Sequence, residues 1–239
     1  DEAAKAQAEI DKMKKAMMDS AWDGDWFLRA YDAEGKKMGS RECEEGQIFI
    51  EPQGFAIMSD IDTEASRKTL KAIDERLNTK YGLVLNNPAF TKYYIQYGEI
   101  STYPGGYKEN AGIFTHNNAW IICAAAYAGE GDQAFKYYSE IAPAFTEDTS
   151  DIHKTEPYVY GQMIGGKDAG ADIGKQGDNF GQGKNSWLTG CMEHGCYLPV
   201  HSGYCGRLRR TEDRPVHSSR VGRYEGYPSV PRRNLQHHS

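Results

Sequence analysis

The stretch from Asn117 to Ala128 is the strongest constraint on what this chain can fold into. It reads Asn-Asn-Ala-Trp-Ile-Ile-Cys-Ala-Ala-Ala-Tyr-Ala and is apolar nearly all round at helical periodicity. A helix with no polar face must be enclosed on every side, so other elements have to be built around this one. After the turn Gly129-Glu130-Gly131 a second helix is expected from Asp132 to Ile141. Further upstream, Asp62 is placed to cap a helix, with Glu64 favoured in its first turn. Leu70, Ile73 and Leu77 give that helix a single apolar stripe. Ile10, Met13 and Met17 recur among charged residues and predict a surface helix ending near Trp22. Trp26 to Tyr31 and Gln47 to Ile50 are short β-like runs, separated by the turn signal Glu34-Gly35. The fold class expected is mainly α, with helical hairpins joined by long, glycine-rich, aromatic loops that build a site at one end.

The 239 residues suit one domain or a large part of one. Sixteen tyrosines and four tryptophans suit carbohydrate clefts, where rings stack on sugar faces and polar tips bond hydroxyls, but they suit cores equally well. A net charge of −6 argues against a nucleic-acid partner. No apolar run approaches the ~20 residues that span a bilayer, so no membrane is expected. The beginning Asp1-Glu2-Ala3-Ala4-Lys5 reads as a helix start inside a longer chain rather than a signal peptide. Five cysteines without framework spacing fit a reducing, cytoplasmic setting.

Polar residues that could do chemistry concentrate in the loop from Gly98 to His116. Glu99, Tyr103, Lys108, Glu109 and His116 lie within nineteen residues punctuated by Gly and Pro, and the loop runs straight into the buried helix. A helix N-terminus suits an anion because its free N–H groups point outward; solvated charges on a turn would look the same. Asn185 to Gly190 is a second candidate. There the Thr189 hydroxyl and the Gly190 backbone could reach a phosphate oxygen. Glu156-Pro157-Tyr158 with Gln162 is a third, the amide of Gln162 suiting a pair of sugar hydroxyls. Each alone is compatible with a structural role.

Together these segments resemble one family. Trp22 to Asp32, the Thr102-Tyr103-Pro104 to His116 loop, Glu156-Pro157-Tyr158 and Asn185 to Gly190 stand in the order found in cellobiose phosphorylases. That glycoside phosphorylase family also includes the cellodextrin, laminaribiose and chitobiose enzymes. The resemblance covers essentially all of residues 1–190 and implies that they are the C-terminal part of an (α/α)6 catalytic barrel. It implies cleavage of a β-glucosidic bond by inorganic phosphate, a co-substrate, with no further cofactor and no metal. It further implies phosphate contacts from His116, Thr189 and Gly190. Glu99, Tyr103, Lys108 and Gln162 are implied to bind the sugar in the leaving-group subsite, with Glu109 in support. The catalytic acid is implied to lie upstream, so no catalytic residue is expected in this chain and the chain alone should be inactive. Asp23 and Asp25 belong to a later motif than the acid. A homodimer is implied for the whole protein. Gly105 replaces a common second proline and Ala119 a proline after the histidine, which loosens the loop without removing a polar group.

Beyond Gly190 the composition breaks. Residues 1–190 hold all sixteen lysines and four arginines, whereas 191–239 hold no lysine, eight arginines and five of the seven histidines. Shifted by one base, permitted codons for 191–204 can encode the apolar helix that the resemblance calls for. Residues 191–239 are therefore expected to be an out-of-frame, disordered tail. Cys191, Cys196, Cys205, His194 and His201 lack the paired spacing of a zinc site. Two other functions compete with the phosphorylase fragment. One is a non-catalytic carbohydrate-binding helical module; the other is an interaction protein acting through its Arg-rich tail.

Overall fold

The computed structural model describes residues 1–176. Thr189, Gly190 and the expected tail at 191–239 lie outside the described residues. The chain is mainly α. Its helices are α1 (Glu2–Ala21), α2 (Ile50–Met58), α3 (Thr63–Arg76), α4 (Thr115–Tyr127), α5 (Gly131–Ile141) and the single turn α6 (Ser150–His153). Among the described residues, eight two-residue strands pair antiparallel. β1 (Ala30–Tyr31) joins β2 (Lys37–Met38), and β3 (Ile48–Phe49) joins β6 (Asn86–Asn87). β4 (Asn78–Thr79) joins β5 (Gly82–Leu83), and β7 (Ile113–Phe114) joins β8 (Met163–Ile164).

Two helical hairpins repeat one plan. In each, a strand runs directly into an apolar helix, β3 into α2 and β7 into α4, and an amphipathic partner returns over it, α3 or α5. The two apolar helices pack on each other. Enclosure of α4 follows from its sequence: Ile121, Ile122, Ala124, Ala125 and Ala126 are all at most 1% exposed. Ile48, Ile73, Leu77, Leu83, Ile113 and Tyr137 join them in one core at 0% exposure, each buried aliphatic contributing about 1.5–3 kcal/mol. The Asp62 carboxylate caps α3 by accepting from the Ala65 N–H at 2.7 Å, as its position in the sequence suggests.

α1 is different. It has no buried residue, and Ile10, Met13 and Met17 face an apolar groove of about 510 Å3 shared with Phe55, Ala56 and Ile61. Among the described residues no helix is long and apolar enough to cross a membrane.

Buried asparagines fix the long connection between the hairpins. The Asn86 side-chain oxygen accepts from the Ala111 N–H at 2.7 Å. Asn110 accepts from the Phe90 N–H at 2.7 Å and donates to the carbonyls of Phe90 and Tyr103 at 2.8 and 2.7 Å. Asn118 does the same for Leu83 from the first turns of α4. Each of these amides replaces the strand or helix partner that an irregular backbone lacks.

Candidate active-site loop and helix start

The loop after Tyr97 begins as a 3-10 turn, Gly98–Ser101, which carries Glu99. Four residues on, the Tyr103 phenol donates to the Glu99 carboxylate. Lys108 stands with its ammonium 4.9 Å from the centre of the Tyr103 ring, a cation over an aromatic face. Its backbone adopts φ 47°, in the left-handed region. The bond to Glu99, then partial burial, then the charges of Glu99 and Glu109 push the Tyr103 phenol up to about 12. Tyr103 therefore stays protonated, able to donate and to accept. Glu99, Lys108 and Glu109 are all exposed. The expected sugar-binding residues of this loop thus form one cluster facing solvent.

Glycines let the 163–176 segment close on that loop. Gly106 accepts from the Gly166 N–H at 2.9 Å. A Cβ on Gly106, at φ +82°, would stand 2.3 Å from the Ala169 nitrogen. The Tyr107 phenol reaches Asp172 at 2.5 Å, and Lys175 pairs with the other oxygen of the same carboxylate at 2.6 Å. Tyr103 also lines a cleft of about 760 Å3, whose walls include Phe90, Tyr93, Gly105, Lys167 and Asp168.

His116 is the second residue of α4 and is half-buried. Its ring contacts Phe114, centroids 5.3 Å apart, and Trp120, centroids 5.8 Å apart with planes at 69°. Burial lowers the imidazole below its ordinary value, and the negative charge of Glu51 on α2 opposes that shift. His116 is consequently neutral near pH 7, with one N–H to donate. Gln162 arrives at the start of α4 because β7 pairs with β8 in the register Phe114↔Met163. The Gln162 carbonyl accepts from the Thr115 N–H at 3.1 Å, and the Thr115 hydroxyl donates to the Gly161 carbonyl.

The site residues named from the sequence therefore fall into two groups. Glu99, Tyr103, Lys108 and Glu109 share the loop, and His116 and Gln162 share the start of α4. Thr189 and Gly190 lie outside the described residues. Asp23, set aside in the sequence, is a structural anchor. Its nearly buried carboxylate accepts from Ser40 Oγ at 3.1 and 3.2 Å and from the Arg41 N–H at 2.9 Å.

Sequence reasoning missed three neighbours of His116. Glu51 belongs to a helix that was not anticipated. Trp120 was assigned only to the buried run. Asn117 is 4% exposed, and among the described residues no donor reaches its amide oxygen; two consecutive asparagines opening an apolar helix were the available signal. Among the described residues, no group of three His, Cys, Asp or Glu side chains is placed to hold a metal.

The profile of the glycosyl hydrolase 94 superfamily, catalytic domain, matches residues 1–200. The chain is 32% identical to a solabiose phosphorylase of Paenibacillus borealis over 180 residues, 75% of this chain and 22% of that protein. It is 31% identical to an N,N'-diacetylchitobiose phosphorylase of Vibrio proteolyticus over 203 residues, 81% of this chain and 24% of the relative. A cellobionic acid phosphorylase of Neurospora crassa is 30% identical over 190 residues, 77% of this chain and 24% of the relative. The chain spans about a quarter of the length of these curated relatives. With the profile covering most of its residues, the chain belongs to the glycosyl hydrolase 94 superfamily, within the catalytic domain.

Proposed function

We propose that this chain is the later part of an (α/α)6 catalytic barrel in an inverting glycoside phosphorylase. The whole enzyme would convert cellobiose or a related β-glucoside, with phosphate, to α-glucose 1-phosphate and glucose. The observation that carries this reading is the placement of His116. A half-buried imidazole, lowered by its surroundings, opens a helix N-terminus directly after a loop that clusters Glu99, Tyr103 and Lys108. Two repeated helical hairpins, with apolar members packed together and amphipathic members outside, support the barrel.

Inverting cleavage needs an acid to protonate the leaving oxygen and a nucleophile on the opposite face of the sugar ring. Phosphate is already an anion, so holding it in line replaces a general base. In this reading His116 donates its N–H to phosphate, and Thr189 and Gly190 complete the grip. Tyr103 and Lys108 bind hydroxyls of the departing sugar, Glu99 accepts from them, Gln162 spans a hydroxyl pair, and Glu109 supports the cluster. No step is assigned to a metal or further cofactor. The acid is proposed to be supplied from outside this chain, so residues 1–239 alone should not turn over. Residues 191–239 are proposed to be read out of frame, and the whole protein to be a cytoplasmic homodimer.

The test is glucose 1-phosphate release by the full-length, frame-corrected product. Release is expected from at least one of cellobiose, laminaribiose and cellodextrins. Failure on all of them overturns the substrate reading, and phosphorolysis by residues 1–239 alone overturns the placement of the acid.

A further inference from the structure

α2 packs on α4 at Gly54. A Cβ there would stand 3.5 Å from Trp120 Cβ and 3.1 Å from Ile121 Cδ1. This approach brings the next residue, Phe55, onto the Trp120 indole, with centroids 5.1 Å apart and planes at 49°. Four residues before Phe55 and Trp120 stand Glu51 and His116, so one turn of each helix separates the members of two facing pairs. Glu51 is itself tied to Arg29 at 2.8 Å. Trp120 meets the imidazole at 5.8 Å and 69°, and the Phe114 ring lies 5.3 Å from it at 45°.

We propose that Trp120, braced from α2 by Phe55, is the positioning residue that holds the His116 ring in one orientation at the start of α4. A histidine in the first turn of a helix is otherwise free to sweep through several rotamers in water. The indole removes that freedom and keeps water from one side of the ring. A fixed, neutral imidazole presents its N–H in one direction, which a hydrogen bond to a ligand oxygen requires. Phe55 is 52% exposed, so packing of the core does not account for its contact with the indole. The consequence for phosphate rests on the phosphorylase reading; the holding of the ring does not.

The test is a histidine NMR titration of the 239-residue chain, with the His116 signals identified by their loss in His116→Gln. In the unaltered chain the ring protons should be displaced by the neighbouring aromatic currents and titrate below the ordinary histidine range. Trp120→Leu should reduce the displacement to what Phe114 alone supplies and move the midpoint upward, toward that of a hydrated imidazole. Trp120→Phe should restore most of both. Phe55→Leu, at a half-exposed position where folding is not at stake, should shift both in the direction of Trp120→Leu by a smaller amount. It decides the matter if Trp120→Leu fails to fold. Unchanged signals and midpoint in Phe55→Leu and in a folded Trp120→Leu overturn the proposal. Adding inorganic phosphate separates the two readings. If His116 does not respond to phosphate but does respond to the Trp120 and Phe55 changes, the positioning role stands and the anion contact falls.

Discussion

The side-chain amide of Asn118 closes two hydrogen bonds with the backbone of Leu83, accepting from its N–H at 2.7 Å and donating to its carbonyl at 3.0 Å. The same Nδ2 donates to the Phe114 carbonyl at 2.9 Å. One side chain thus ties the strand before the long loop to the turn of helix after it. Asn118→Ala leaves buried Leu83 groups without partners and should cost about 2–3 kcal/mol. Chemical denaturation measures this; a loss below about 0.5 kcal/mol would mean that water or a shifted backbone replaces the amide.

Gly82, next to Leu83, should be as sensitive for a steric reason. It sits at φ +116°, and an added Cβ would lie 2.6 Å from Ile141 Cγ2 and 3.0 Å from Asn118 Oδ1. Gly82→Ala combines backbone strain with a clash against α5. A loss of about 1–3 kcal/mol is expected, read as a lower denaturation midpoint at constant slope.

Between α3 and α5, burial holds the Glu140 carboxyl up to about 7. The Asn78 amide and Lys136 pull it back, and the charge of Asp74 adds to the rise. The folded chain therefore keeps a proton there that the unfolded chain, near the ordinary 4.5, has released. The site's contribution to stability is complete below that ordinary value and is lost as pH rises toward 7. Glu140→Gln stays neutral at every pH. Its melting temperature should exceed that of the unaltered chain at pH 8 and approach it at pH 4; equal offsets at both pH values would refute the burial effect.

Tyr103→Phe removes the donor to Glu99 while keeping the ring under Lys108. Because the pair is exposed, the melting temperature should barely move. If the loop binds a sugar, glucose affinity should fall about tenfold, the equivalent of one good hydrogen bond. Saturation-transfer NMR with glucose reads this directly.

Local rules revealed α1, α3, α4 and α5 in the sequence, because a cap, a stripe, an all-apolar run or a preceding glycine turn marks each. α2 stayed hidden. Ile50-Glu51-Pro52-Gln53-Gly54 carries two helix breakers, yet Pro52 falls in the first turn, where its missing N–H costs nothing. Gly54 is there for the close approach to α4. Glu99 and Tyr103, four residues apart in one loop, were legible as candidates. The surroundings of His116 were not, since Glu51, and Phe55 by way of Trp120, bear on it only through the packing of α2 on α4. Buried asparagines such as Asn110 carry no local mark either, because their partners are set by tertiary closure.

The hooks made by Asn110 on Phe90 and Tyr103, with Asn86 holding Ala111, have an evolutionary consequence. A segment whose two ends are latched to each other can be exchanged whole, as a cassette, while the scaffold beneath keeps its shape. Its tip residues are then free to diversify, provided the latching amides are inherited unchanged.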